Sequence, residues 1–153
     1  MGLKGKLVSQ IDIKSDGNLF YQIFRERPYD TSVTSPGMIH RVDLHCGEWG
    51  TVGSVTLWKF ILDGNERVSK EMIEAIDDER KTVTYKVIEG DLAELYKTFK
   101  YIISVDSNGD RSLITWTLEY EKKNENVPDP NTMMALCLAL TKDIETHNLA
   151  QLN

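Results

Sequence analysis

Cys46-Gly47-Glu48-Trp49-Gly50-Thr51-Val52-Gly53-Ser54-Val55 places three glycines in ten residues. A loop that cradles phosphate needs such glycines between a strand and the N-terminus of a helix, where free N–H groups and the helix dipole meet the anion. This stretch leads instead into Ser54–Leu62, where Thr56, Trp58 and Phe60 alternate with Val55 and Leu57. That is the period of a strand, and no Gly-Lys-Ser/Thr follows. The glycines therefore read as backbone freedom in a tight hairpin, and the chain around them reads as antiparallel sheet.

Working outward, Met38 to Tyr120 keeps a period of two. Turn signals interrupt it at Gly47–Gly53, Asp63-Gly64-Asn65, Asp77-Asp78-Glu79, Glu89-Gly90-Asp91 and Ser107-Asn108-Gly109-Asp110. This predicts a run of strands joined by hairpins. Upstream, Gly5–Ile13 alternates as an opening strand. A helix follows, capped by Ser15 or Asp16, with Leu19, Phe20, Ile23 and Phe24 at helical spacing and Pro28 ending it. Tyr29–Gly37 reads as a short helix or turn.

Downstream, Pro128-Asp129-Pro130-Asn131 starts a helix expected to reach Asn153. Met133, Cys137, Leu140, Ile144 and His147 form one stripe with Leu136 alongside, while Lys142, Asp143, Glu145 and Thr146 lie mostly off it. An amphipathic helix lying lengthwise on the apolar face of a curled sheet is expected.

At 153 residues the chain is expected to form a single domain over 1–153. The net charge of −6 argues against a nucleic-acid partner, which requires a basic face. No apolar run approaches the roughly 20 residues that span a bilayer. The opening MGLKGKLVSQ holds no apolar signal core, and Lys6 stands where a myristoylation motif needs Ser or Thr, so a cytoplasmic location is expected. Cys46 and Cys137 lie far apart and outside any metal-ligand spacing, so reduced thiols, no metal and no cofactor are expected.

The whole chain resembles the major latex protein branch of the Bet v 1-like (START-like helix-grip) superfamily. The resemblance rests on Val42-Asp43-Leu44-His45-Cys46-Gly47-Glu48-Trp49-Gly50, on Thr84-Tyr85-Lys86-Val87-Ile88-Glu89-Gly90-Asp91 and on Trp116-Thr117-Leu118-Glu119-Tyr120-Glu121-Lys122, in that order. It implies an α+β helix-grip fold. In that fold a seven-stranded curved antiparallel sheet wraps a long C-terminal helix, with two short helices after the first strand and an internal apolar cavity. Proteins similar to this one are plant cytosolic carriers of steroids, phenolics, hormones and lysolipid-like molecules, linked to defence and stress responses, and some relatives are catalysts. Related pathogenesis-class proteins carry more glycine in the first loop and are sometimes described as nucleases. Glu48 and Trp49 replace part of that pattern, which speaks against nuclease activity here.

The function expected on these grounds is the binding of an apolar or amphipathic small molecule by a monomer or weak dimer. Strand alternation, read toward the bulky apolar face, points His40, Val42 and Leu44 inward, then Thr56, Trp58 and Phe60, then Val68, Lys70 and Met72. Val83, Tyr85 and Val87 follow, then Phe99, Tyr101 and Ile103, then Ile114, Trp116, Leu118 and Tyr120, and the helix supplies Met133, Cys137, Leu140, Ile144 and His147. Of these, Tyr85, Phe99, Tyr101, Trp116 and the helix residues are the expected ligand contacts, together with His40, Trp58, Phe60 and Met72 from the earlier strands. Large aromatics also fill ordinary cores, but Trp58, Tyr85, Tyr101 and Trp116 carry polar tips suited to an apolar pocket with a few orienting groups. His40 and His147 are the candidates for a polar head group. The alternative is an isomerase or cyclase of specialised metabolism, with Lys70, Glu74 or His40 as its base. The sequence supplies no set of nucleophile, base and orienting group for that chemistry.

Overall fold

A computed structural model describes residues 3–108 and 111–151. Strand β1 (Lys4–Ile13) is followed by α1 (Gly17–Glu26), a 3₁₀ turn at Pro28–Asp30 and one turn of helix, α2 (Thr31–Thr34). Then come β2 (Ile39–Cys46), β3 (Val55–Leu62), β4 (Asn65–Asp77), β5 (Thr82–Gly90), a short helix α3 (Asp91–Leu95), β6 (Tyr96–Asn108), β7 (Arg111–Lys122) and the long α4 (Asn131–Gln151). The seven strands form one antiparallel sheet in the order β1-β7-β6-β5-β4-β3-β2. Because β1 returns to pair with β7, the first strand closes one end of a meander, and the sheet curls so that one face receives α1 and α4.

The local chemistry explains most boundaries. Asp16 caps α1 by accepting a hydrogen bond from Asn18 N–H at 2.8 Å. Arg27 ends α1, and Pro28 opens the 3₁₀ turn beyond it. Asp63 and Gly64 both adopt positive φ, 52° and 76°, as a two-residue type I′ hairpin requires. In the loop quoted above, Gly47, Gly50 and Gly53 all have positive φ, and the segment leads from β2 into β3. The loop is held by Arg25 Nη1 donating to Gly50 O at 2.6 Å and by Tyr29 meeting Trp49 edge-on at 4.8 Å. The expected turn at Glu89–Asp91 leads into α3, which propensity alone does not announce. In the turn expected at Ser107–Asp110, Gly109 and Asp110 lie outside the described residues, as do the last two residues of the expected helix.

Two strands present faces other than those expected. In β2 the register shifts between Ile39 and Arg41, a bulge that turns both His40 and Arg41 outward while Ile39 and Val42 are buried. In β4 the inner row is Ser69, Glu71 and Ile73, all buried, so Val68, Lys70 and Met72 belong to the outer row. The register enforces this: Trp58 pairs with Ser69 and Thr56 with Glu71, and residues directly opposite in an antiparallel pair share a face.

Helix α4 is buried on one side through Met133, Met134, Cys137, Leu140, Thr141, Ile144 and Glu145. Its contrast in polarity is weaker than expected, because Thr141 and Glu145 face inward while Ala135 and Ala139 face out. Glu145, expected off the buried stripe, accepts hydrogen bonds from Lys14 N–H and, at 2.6 Å, from Lys142 Nζ. The contact with Lys14 ties the helix to the residue that follows β1.

Candidate ligand cavity

Under α4 the curved sheet leaves an apolar cavity of about 50 Å³. Its floor comes from Trp58 and Phe60 of β3, Glu71 of β4, Tyr85 of β5, Tyr101 and Ile103 of β6 and Trp116 of β7. Met133, Leu136, Cys137 and Leu140 of α4 form the roof, and Phe24 of α1 and Ile39 of β2 close the sides. This volume holds roughly four waters, far below the roughly 300–1,000 Å³ of pockets that enclose a drug-sized molecule. A larger guest must part the roof from the floor, and Met133, with its unbranched side chain, is the most adaptable element there.

The polar tips in the wall are mostly spoken for. Trp116 Nε1 donates to Thr141 Oγ1 at 2.8 Å, and Thr141 in turn donates to Cys137 O at 2.8 Å. Trp58 Nε1 donates to Thr56 Oγ1 at 2.9 Å, and the Tyr85 hydroxyl donates to Phe24 O. Thr141→Val keeps the shape of the side chain but leaves a buried indole N–H without an acceptor. A loss of about 1–3 kcal/mol in urea-induced unfolding is the expected outcome.

Glu71 differs from the rest of the wall. Its side chain is buried in an otherwise apolar and aromatic surface, and Ser69 Oγ donates to its Oε2 at 2.8 Å. Burial raises its pKa to about 7, opposed only in part by the Ser69 hydrogen bond. Burial also raises Tyr85, Tyr101 and Cys137, so these three stay protonated at neutral pH.

The expected site residues divide into three groups. Trp58, Phe60, Tyr85, Tyr101, Trp116, Met133, Cys137 and Leu140 are brought together at the cavity wall. Phe99 and Ile144 are fully buried but off the wall; Phe99 packs in an aromatic cluster with Tyr96 and Tyr101, its ring centroid 5.1 Å from each. His40, Met72 and His147 lie elsewhere. His40 is exposed, with Nδ1 3.1 Å from Glu66 Oε2, because of the β2 bulge. Met72 sits on the outer row of β4, and His147 borders a surface hollow shared with Leu19, Ile23, Arg27 and Asn148. The bases considered for catalysis also face away from the cavity: Lys70 Nζ is 2.9 Å from Glu89, and Glu74 is 3.0 Å from Lys100 Nζ.

Ile103, placed on the inward row by alternation, also reaches the wall, and sequence reasoning left four wall residues off its inward set: Phe24, Ile39, Glu71 and Leu136. Leu136 lies one turn from Met133 and Leu140, so a signal for it was present. Phe24 also belonged to a recognised helical stripe. Ile39 was hidden by the bulge and Glu71 by the preference for bulky apolar faces.

Comparison with known proteins decides the family. Residues 2–151 match the model of the pathogenesis-related protein Bet v 1 family. The chain belongs to the Bet v 1 family. Within it the relatives are major latex proteins. MLP-like protein 43 of Arabidopsis thaliana is 41% identical over 97% of this chain and 96% of its own length. MLP-like protein 28 from the same plant is 42% identical over 97% of the chain, which spans only 45% of that longer relative. The crystal structure of major latex-like protein 151 from Panax ginseng superposes with a TM-score of 0.94 at 47% identity, covering 97% of this chain and 99% of that one. Norcoclaurine synthase from Thalictrum flavum shares the Bet v 1 fold, with a TM-score of 0.72 at 18% identity over 94% of this chain and 88% of that one. The Bet v 1 fold is a ligand-binding scaffold, and among the described residues no helix is long and apolar enough to cross a membrane.

Proposed function

We propose that the protein is a cytosolic carrier that takes an apolar or amphipathic small molecule into the cavity beneath α4 and shields it from water. The observation that carries this reading is the cavity wall, an aromatic and aliphatic surface with one carboxyl set into it. Such a surface stabilises a guest by roughly 25 cal/mol for each Å² of apolar area removed from water, while the few polar groups set its orientation. The two free cysteines suit a reducing compartment. Carriage is favoured over isomerase or cyclase chemistry because Lys70, Glu74 and His40, the bases considered for it, all point away from the cavity, and Glu71 in the wall has no lysine, arginine or histidine beside it to complete an acid–base pair.

The small resting volume makes binding conditional on opening, so measured affinity is the intrinsic affinity reduced by the fraction of open molecules. Titration with the uncharged fluorescent probe N-phenyl-1-naphthylamine tests the reading. Saturable binding near one probe per chain is expected for the wild type, followed by displacement with a steroid, a flavonoid, a fatty acid or a lysophospholipid. Leu140→Trp fills the roof of the cavity and is expected to weaken probe binding at least tenfold. Unchanged affinity in that variant would place the probe elsewhere and overturn the assignment.

A further inference from the structure

The carrier reading leaves the chemistry of the cargo open, and the charge of the cavity wall narrows it. The wall contains one carboxyl, Glu71, and no lysine, arginine or histidine. Every element packed around that carboxyl presents a group that is neutral at physiological pH. These are Thr56 and Trp58 on β3, Ser69 on β4, Tyr85 on β5, Tyr101 on β6 and Cys137 on α4. The basic side chains close in sequence are engaged outside, Lys70 with Glu89 at 2.9 Å and Lys100 with Glu74 at 3.0 Å. Among the described residues, Ser69 is the one hydrogen-bond partner of the carboxyl, through Oε2, and Oε1 accepts none. Tyr85 and Tyr101 feel its charge, and the rings of Trp58 and Trp116 line the same cavity.

A carboxylate with a free oxygen in an aromatic-lined cavity that holds no base lacks a cation. A guest ammonium supplies one, gaining a charge-assisted hydrogen bond from the carboxylate and attraction from the ring quadrupoles. A guest carboxylate or phosphate meets a like charge and no compensating base. We infer that Glu71 is the recognition point for a protonated amine, so that the cavity takes apolar amines in preference to alcohols of the same shape and excludes the matching carboxylates. This inference rests on the carrier reading and turns it away from fatty acids and acidic lysolipids.

The inference predicts a pH response. An alkylamine stays protonated to above pH 9, as a lysine side chain does. The carboxyl it needs ionises near pH 7, so amine affinity should rise about tenfold from pH 6 to pH 8 and then level off.

Calorimetric titration with decylamine, decan-1-ol and decanoate at both pH values tests it. The wild type is expected to bind decylamine at least tenfold more tightly than decan-1-ol at pH 8, with decanoate weakest. Glu71→Gln should bring the amine down to the level of the alcohol and remove the pH response, whereas Lys70→Gln, on the outer row, should leave both intact. If Glu71→Gln does not fold, Ser69→Ala serves instead. Loss of that donor should move the midpoint of the amine's pH response upward, and an unmoved midpoint overturns the role of Glu71. Binding of the alcohol with no preference for the amine, or a preference for decanoate, overturns the inference and leaves the carrier standing. Absence of binding by all three compounds overturns both.

Discussion

Gly90→Ala is expected to cost about 2–6 kcal/mol of stability. Gly90 closes β5 with φ 118° and ψ −166°, a backbone region occupied essentially by glycine alone and worth about 1–3 kcal/mol of strain for any other residue. A Cβ there would stand 2.3 Å from Val68 O and 2.9 Å from Ser69 Cα, both main-chain atoms that cannot swing aside. Overpacking of this kind adds about 1–3 kcal/mol. The position matters to the cavity because Gly90 pairs with Ser69, and one register shift later Glu71 pairs with Val87. Close approach at Gly90 thus holds the stretch of β4 that turns Ser69 and Glu71 inward. Urea unfolding of Gly90→Ala beside Gly37→Ala, whose added methyl meets nothing within 4 Å, is the measurement. Gly37→Ala should change stability by less than about 0.5 kcal/mol. Similar small losses in both variants would show that the β4–β5 approach carries no load.

The same region shows why part of the site was legible in the sequence and part was not. Sheet, opening helix and closing helix follow from period and punctuation, since Pro28, Asp63-Gly64 and Pro128–Pro130 each permit few backbone conformations. The inner row of β3 was equally plain because Trp58 and Phe60 are too large and apolar to face water. The inner row of β4 was not. If Asp63-Gly64-Asn65 is taken as a three-residue connection, Trp58 falls opposite Lys70 and Thr56 opposite Met72. With the two-residue turn that Asp-Gly favours, Trp58 falls opposite Ser69 and Thr56 opposite Glu71, as the register has it. A single residue in a turn therefore decides whether the cavity holds a methionine or a carboxyl. The preference for bulky apolar faces pointed the wrong way, because the group that distinguishes this wall is polar. The bulge at His40 left no such trace, since nothing in Ile39-His40-Arg41-Val42 disrupts the alternation by composition.

Wild-type stability is expected to fall by about 3 kcal/mol between pH 4.5 and pH 7 through Glu71 alone, and Glu71→Gln to abolish that fall. In the folded chain the carboxyl keeps its proton up to about pH 7, whereas in the unfolded chain it loses it near its ordinary value of 4.5. Folding therefore takes up a proton across this window. The contribution is fully present below pH 4.5, declines as pH rises and is lost above pH 7, with about 1.4 kcal/mol for each pH unit crossed. Glutamine has nearly the same volume, can accept from Ser69 Oγ and has no charge to desolvate. The variant should match the wild type near pH 4.5 and exceed it by about 3 kcal/mol at pH 8, as read from urea unfolding at intervals between those values. A constant difference across the range would mean that Glu71 ionises normally and that water reaches it in the resting state. The predicted slope has a functional counterpart, because a protein selected for stability alone would carry an apolar residue opposite Thr56. Retaining an ionisable carboxyl there costs stability at neutral pH, where the folded chain holds an uncompensated charge. Decylamine at saturating concentration should reduce that loss in the wild type and leave Glu71→Gln unchanged in slope, since only an ionised Glu71 gains a partner from the cation.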